Sequence, residues 1–370
     1  MTIAFLIDGF SIGGTELNST RTLEAFARRG VRVSVLHFHR DGELRERIAA
    51  AGHDMVHVPI APLWSPRIAI RVGALANTLR RLRATVVHSQ DVYSNILGVA
   101  AGRMLRRMPV LTSRRWKDQV PRPGFTPMNA WAHRRSTLVL PNSPALIETL
   151  QSEGVRTDRI AVHENFIDDA ALTLMPAEAR ARWRQSLGIP GAAVVVGCVA
   201  RLTPVKRHDV LIDAFAIVAR AMPDAMLVLV GDGEIRHQLE GQVDAAGLRG
   251  RVVFTGTLPN FPLSQQLFDI AVLTSQNEGF PNSLVEASAC AVPLVSTRVG
   301  GVPDVLIEGE TGLSVPIADV AQTAAAILAL ATDPAQRRRM GDAARTLVRS
   351  RFSETAAVDR LLALYARVSR

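Results

Sequence analysis

At 370 residues, 48% hydrophobic and only 21% charged, the chain has the composition of a packed globular protein and a length that suits two domains, which excludes a disordered or fibrous class. Two cysteines, Cys198 and Cys290, are too few for a disulfide framework or a zinc cluster, so a reducing compartment is expected. The formal net charge of +9 is unevenly placed: residues 1–168 hold 23 Lys and Arg against 14 Asp and Glu, while residues 169–370 hold 20 of each. The N-terminal half is therefore expected to meet something anionic.

The chain starts on a strand, Ile3–Ile7, with no basic flank before it and no small-residue cleavage site after it, so no secretory signal is expected. No run approaches the ~18–20 apolar residues of a membrane span, and any membrane association is expected to be peripheral. The loop Asp8-Gly9-Phe10-Ser11-Ile12-Gly13-Gly14-Thr15-Glu16 leads into a helix from about Glu16 that stops at Arg28-Arg29-Gly30. Its two glycines permit close backbone approach, and the helix start behind them favours an anion, although most such loops are only turns. The spacing is neither G-x-G-x-x-G nor a phosphate-binding G-x-x-x-x-G-K-[ST].

Further strands are expected at Arg32–His37, Met55–Val58, Ala84–His88, Val110–Ser113 and Thr137–Pro141, with a helix inside Ile68–Arg83 marked by Ile68, Val72, Leu75, Leu79 and Leu82. His88 closes a buried strand, and a polar residue there points into a crevice more often than into the core, though a lone histidine is more often structural. From Ile167 to Pro190 the strand signal lapses among Pro176, Gly188 and Pro190, and the linker is placed there. The second half repeats the pattern, with strands at Val194–Val199, Ala225–Gly231, Val252–Gly256, Ile270–Thr274, Pro293–Ser296 and Gly312–Val315. A final helix over about Ser353–Val368 has no strand after it. Alternating strands and helices with runs this apolar predict two doubly wound parallel sheets and a ligand cleft between them.

Two constellations in the second half carry chemistry. Arg201 and Lys206 follow the strand Val194–Val199 and precede a helix, where an anion is attracted both by charge and by free backbone N–H groups. A planar fork and a point charge together suit a diphosphate, although a solvated basic loop would read the same way. The strand Ile270–Thr274 runs into Ser275 to Ala287, in which Glu278 precedes a helix start near Asn282 and Glu286 lies one turn inside it. Carboxylates so placed can accept hydrogen bonds from vicinal sugar hydroxyls.

The run Glu278-Gly279-Phe280-Pro281-Asn282-Ser283-Leu284-Val285-Glu286 resembles the two-glutamate motif of the family 4 retaining glycosyltransferases of the GT-B fold (glycosyltransferase group 1, bacterial polysaccharide and glycolipid type). The Arg201…Lys206 pair, the turn Gly231-Asp232-Gly233 and the loop Val299-Gly300-Gly301-Val302-Pro303-Asp304 fall in that family's order and spacing. The resemblance covers nearly the whole chain and is specific over residues 194–315. It implies a first domain over 1–168 that binds the acceptor, with the helix 354–370 packed back on it, and a second over 169–353 that binds the donor.

The resemblance also implies roles. Arg201 and Lys206 would hold the donor diphosphate, Glu286 the nucleotide ribose, and Glu278 the donor sugar near the reacting centre. The backbone around Phe280, Pro281 and Asn282 would line the sugar and phosphate pocket, Leu258 would touch the base, Gly14 would lie beside the phosphates, and His88 near the transferred sugar. Two departures stand out: Val162 to Asp168 keeps only Asn165 and Asp168 of the usual Pro-Asn-Gly-Val-Asp, and Asp304 replaces a usual glutamate.

No Asp-x-Asp occurs, nor a Cys/His cluster, so neither a cofactor nor a metal is expected and the leaving diphosphate would be neutralised by Arg201, Lys206 and helix starts. The implied activity is transfer of a hexose or N-acetylhexosamine from a nucleotide-diphosphate sugar to a glycan or lipid-linked acceptor in cell-envelope synthesis, with retention. A sugar-nucleotide epimerase of the same architecture and a non-catalytic nucleotide-sugar sensor are the competing readings. The protein is expected in the cytoplasm, with Arg67, Arg71, Arg80, Arg81, Arg83, Arg103, Arg106, Arg107, Arg114, Arg115 and Lys117 as a face for anionic lipid, each surface cation contributing about 1 kcal/mol. Solvated helices explain that cluster as simply. Nucleic acid is not expected, since aromatics are not interleaved with these cations.

Overall fold

The computed structural model describes residues 1–11, 13–106, 108–115, 124–167, 172–258 and 261–369. Ile12, Arg107, Lys117 and Asp168, and with Asp168 the boundary expected after it, lie outside the described residues. The chain divides into two compact units, the first made of Met1–Phe166 and Glu354–Arg370, the second of Ile167–Ser353.

In the first unit, strands β1 (Ile3–Ile7), β2 (Val33–His37), β3 (Asp54–His57), β4 (Val86–Ser89), β5 (Val110–Arg114) and β6 (Leu138–Pro141) form one parallel sheet in the order β3-β2-β1-β4-β5-β6. The connecting helices are α1 (Gly14–Arg28), α2 (Arg45–Ala50), α3 (Ile68–Arg81), α4 (Val92–Met104) and α5 (Phe125–Arg135), with α6 (Ile147–Ser152) after the last strand. Because side chains alternate along a strand, β1 feeds two cores. Ile3, Phe5 and Ile7 pack with Leu23 and Phe26 of α1, whereas Ala4 and Leu6 pack with Leu75 and Leu79 of α3 and with Ile96 of α4.

The second unit opens with α7 (Ala177–Ser186) and then repeats the plan. Strands β7 (Val195–Val199), β8 (Met226–Val230), β9 (Val252–Gly256), β10 (Ile270–Leu273), β11 (Leu294–Thr297) and β12 (Gly312–Val315) form a parallel sheet in the order β12-β11-β10-β7-β8-β9. Its helices are α8 (His208–Ala221), α9 (Arg236–Ala245), α10 (Asn282–Ala289), α11 (Val320–Thr332) and α12 (Pro334–Arg351). Each sheet thus has the doubly wound order, with a switch point between its first and fourth strands.

The last helix, α13 (Glu354–Val368), belongs to the first unit. Its Ala357, Val358, Leu361 and Tyr365 recur at helical spacing and are buried against α1, with Phe26 and Tyr365 in edge contact. Arg28 and Arg29 clamp its outer side through ion pairs with Glu354 and Asp359.

The stretch expected as a linker contains α7, which corrects that reading. The helix has no apolar stripe for a periodicity argument to find; it is fixed by arginines. Arg180 and Arg184 both bond Asp269, at 2.8 and 2.9 Å, and both reach the backbone carbonyls before β10.

Candidate active site

In the second unit the loops leaving β7 and β10 diverge at the switch point, and they are stitched together before any side chain is counted. The Gln276 N–H donates to the Val205 carbonyl at 2.9 Å, and the Thr274 hydroxyl donates to the Arg207 carbonyl at 2.8 Å. Arg207 sits in the left-handed region at φ 51° as the residue before α8, its guanidinium bound to Asp209 at 2.8 Å.

This frame brings Lys206 and Glu278 together. The Lys206 ammonium donates to Glu278 Oε1 at 2.6 Å, and the Ser275 hydroxyl donates to the same oxygen at 2.6 Å. The Glu278 side chain is 8% exposed and that of Lys206 23%, so the pair is charge-assisted and largely desolvated. An ammonium carries three N–H bonds. With one on Glu278, Lys206 is anchored while its charge stays at the crevice. Arg201, two residues beyond β7, is exposed.

Two neighbouring loops press on this frame. A Cβ on Gly231, at φ 134°, would fall 2.1 Å from the Ala200 carbonyl oxygen, and one on Gly300, at φ 49°, would fall 1.6 Å from that of Glu278. Side chains are excluded at both positions, and the loops after β8 and β11 thereby set the positions of the two functional loops.

Glu286 lies inside α10 and is 2% exposed. The helix begins at Asn282 behind Pro281 with no side-chain cap, and its first turn is closed by backbone bonds, the Asn282 N–H donating to the Phe280 carbonyl and the Leu284 N–H to that of Pro281, both at 3.0 Å. Phe280 is turned away: its ring packs edge-on against Phe352 at 5.5 Å and belongs to the core, leaving only backbone at that position. Leu258 is half-buried against the same core. Beneath the pair, burial pushes the Cys198 thiol up to about 12 and His208 down to about 4, with Lys206 acting on both. Neither offers a nucleophile or a proton carrier at neutral pH.

The first unit holds the remaining expected residues. Gly14 is the first residue of α1, behind an extended Gly13. The strand-end argument placed His88 towards a crevice, and the structure corrects it. His88 is 1% exposed, with Nδ1 2.6 Å from the Tyr365 hydroxyl and Nε2 3.1 Å from the Ser113 hydroxyl. Burial holds it neutral, well below the usual histidine range. The reason is α13, which covers that strand end with Tyr365.

The expected basic face is also smaller than the sequence suggested. Arg114 is buried and ion-paired to Glu153 at 2.9 Å, and Arg115 is buried with Gln90 Oε1 at 2.6 Å and Asn165 Oδ1 at 3.0 Å. Arg67, Arg80, Arg81, Arg83, Arg103 and Arg106 are exposed and Arg71 is half-buried. Among the described residues no helix is long and apolar enough to cross a membrane.

A desolvated cation–carboxylate pair thus lies at a doubly wound switch point, beside an uncapped helix start, in an α/β protein of two Rossmann-like halves. Comparison narrows the class. Residues 12–171 match Glycosyltransferase Family 4, and residues 179–347 match Glycosyl transferases group 1. The chain is 30% identical to the 2-deoxystreptamine N-acetyl-D-glucosaminyltransferase of Streptomyces fradiae over 91% of its own length and 69% of that protein's. It is 30% identical to a lipopolysaccharide core biosynthesis glycosyltransferase of Rhizobium meliloti, over 67% of its own length and 69% of that protein's. It is also 35% identical to a GDP-mannose-dependent phosphatidylinositol monomannoside mannosyltransferase of Mycolicibacterium smegmatis, over 45% of this chain and 46% of that one. The chain spans about half the length of several curated relatives it matches. The structure of Anabaena HepE in complex with UDP superposes with a TM-score of 0.86 at 23% identity, covering 99% of this chain and 100% of that one. The fold is GT-B, and the chain belongs to the family 4 (group 1) glycosyltransferases.

Several members of the site were not singled out in the sequence. Ser275, directly after β10 and three residues before Glu278, is the one a close reading could have found, as a hydroxyl in reach of a carboxylate at that spacing. Asp209, which holds Arg207 two residues before it, was also not singled out; Gly231 and Gly300 were named only as parts of family motifs, and their pressing contacts are with segments distant in sequence.

Proposed function

We propose that the protein is a metal-independent, retaining glycosyltransferase that moves a hexose or N-acetylhexosamine from a nucleotide-diphosphate sugar to a glycan or lipid-linked acceptor, in the synthesis of envelope polysaccharide or glycolipid. The observation that carries this reading is the Lys206–Glu278 pair at 2.6 Å, with Arg201 exposed on the loop after β7 and α10 starting four residues after Glu278. Arg201 and Lys206 take the donor diphosphate. Glu286 takes the ribose hydroxyls, Glu278 the sugar, the backbone from Phe280 to Asn282 the phosphate and sugar oxygens, and Leu258 the base.

As the bond between the anomeric carbon and the phosphate oxygen breaks, negative charge grows on the diphosphate. Lys206 is already held in place by Glu278, so that charge meets a cation needing no reorganisation, the arrangement that stabilises a transition state most. The acceptor oxygen bonds to the anomeric carbon on the face the diphosphate leaves, and its proton passes to a phosphate oxygen of the leaving group. Gly14, at the start of α1, is a second candidate for a phosphate contact. His88, buried and neutral, is left without a part in this scheme.

The relatives support the donor class, since one is named for its dependence on GDP-mannose. A thermal-shift panel of UDP-, GDP- and ADP-sugars tests it: binding to the folded state raises the melting temperature by mass action. A panel in which no sugar nucleotide shifts the transition defeats the reading. Nuclear magnetic resonance of the donor without acceptor then separates transfer from epimerisation, because a new sugar nucleotide would form only in the latter.

The exposed arginines of the first unit extend the proposal to an anionic membrane surface on the cytoplasmic side. Equal flotation with neutral and anionic vesicles removes that extension and leaves the activity untouched.

A further inference from the structure

The sheet of the first unit has its own switch point, between β1 and β4, and over it lies a small crevice of about 10 Å³, room for one water-sized group. Asp8 and Asp91 line it from the strand ends, Glu16 and Ser19 from α1, and Gln90 from the end of β4.

Three carboxylates and one amide face this space. Asp91 accepts from the Ser94 N–H through Oδ1 and from the Asp8 N–H through Oδ2, both at 2.8 Å. Asp8 Oδ1 is buried without a hydrogen-bond partner, with His39 Nε2 3.4 Å away. The Glu16 carboxylate folds back over Gly13, where a Cβ would stand 2.3 Å from its Oε2. Gln90 is 1% exposed, and its Oε1 accepts from Arg115 Nη2 at 2.6 Å. Arginine can only donate, so this bond fixes which end of the amide is which. The other end, Nε2, is then a buried donor with no acceptor.

A buried donor left unmade is unfavourable, and three acids gathered in a half-buried space repel one another. Both deficits are met by one kind of ligand. A positive group the size of water relieves the acids, and a hydroxyl oxygen beside it satisfies Gln90 Nε2. We propose that this crevice binds the ammonium group of an amine-bearing polyol, with an adjacent hydroxyl on Gln90. A metal ion fits less well, because among the described residues no three His, Cys, Asp or Glu side chains are placed to hold one. Burial raises all three acids, Asp91 to about 7, with the charge of Asp8 adding to the shifts of Asp91 and Glu16 and with His39 and Arg115 pulling the other way on Asp8 and Glu16. An entering ammonium reverses that cost. Calling the ligand the sugar acceptor rests on the glycosyltransferase reading; the binding itself does not.

The test is calorimetric or nuclear magnetic resonance titration of the full chain at pH 7 with glucosamine, glucose and N-acetylglucosamine, which share a ring and differ at one substituent. Glucosamine is expected to bind at least tenfold more tightly than the other two. Asp8→Asn is expected to remove that preference, with an unchanged melting transition as the folding control. Equal affinities, or no binding by any of the three, overturn the proposal on the wild-type chain alone. A preference that survives in a folded Asp8→Asn variant places the amine elsewhere and overturns the assignment to this crevice. Glucosamine selectivity without any response to sugar nucleotides would sink the transferase reading and leave the crevice standing; the converse would sink only the crevice.

Discussion

The backbone of Gly300 lies so close to Glu278 that a Cβ placed on it would stand 1.6 Å from the Glu278 carbonyl oxygen. Gly300 is also at φ 49°, where a side chain adds strain. Gly300→Ala must therefore move the Glu278 loop, although position 300 is exposed and outside the core. A displacement of about 1 Å at a reacting centre costs roughly a hundredfold in rate. The expected result is a loss of that order in kcat/KM with the chain still folded. Wild-type kinetics in this variant would show that the loop contact does not set the site.

Lys206 and Glu278 should respond differently when the charge is removed from each. Lys206→Met takes a cation from the diphosphate and leaves the Glu278 carboxylate, 8% exposed, with the Ser275 hydroxyl as its remaining described partner. Donor affinity and turnover should both fall, turnover by about a hundredfold or more. Glu278→Gln keeps the shape and frees the positive charge of Lys206. Affinity for the free nucleoside diphosphate should rise severalfold while turnover falls. Titration calorimetry with UDP or GDP reads the difference, and weaker nucleotide binding in Glu278→Gln would contradict it.

Gly197, in the middle of β7, explains part of the rigidity beneath the site. A Cβ there would come within 2.3 Å of three atoms of the Phe268 ring, which is 1% exposed. Neither strand nor ring has room to yield, so Gly197→Ala should destabilise the second unit by about 2–3 kcal/mol. Adding Phe268→Leu should restore part of that loss, because the replacement removes the atoms that clash. A double variant no more stable than Gly197→Ala alone would mean that the strain comes from the strand itself.

The strands were legible because burial on both faces of a parallel sheet forces continuous Val, Ile and Leu runs. Each of the twelve expected strands is present, and the largest shift is Ala84–His88, which becomes Val86–Ser89. The pairing of Lys206 with Glu278 was legible as a convergence, since both follow strands that the doubly wound order makes neighbours. The hidden features depend on contacts between distant segments. Tyr365 covers His88 from 277 residues away, and Arg115 turns inward to Gln90 and Asn165 although it reads as one more surface cation. Helix α7 escaped for a related reason: its anchors are arginine bonds to Asp269, which leave no periodic apolar trace.

Buried titratable groups set the pH dependence of stability. Burial pushes His133 and His163 down to about 3 and His208 to about 4, with Arg114, Arg115 and Lys206 adding to the respective shifts. Below the ordinary value of 6.5 the unfolded chain takes up protons that these rings refuse, so their contribution, present above 6.5, is lost as the pH falls towards 4. Each costs about 1.4 kcal/mol per pH unit over that range. His37 and His88 shift in the same direction. Asp91 runs the other way. Its carboxyl is raised to about 7 from 3.8, so the folded chain holds a proton that the unfolded chain releases. Its contribution is complete below 3.8 and disappears as the pH rises through 7, and raised Asp8 and Glu16 act in the same sense. The two sets together place maximum stability near pH 6–6.5. His208→Asn should flatten the acid limb for the second unit, and Asp91→Asn should flatten the decline between pH 6 and 7.5 for the first. Melting curves from pH 4 to 8 check both, and a wild-type stability that climbs steadily to pH 8 would refute the assignment of Asp91.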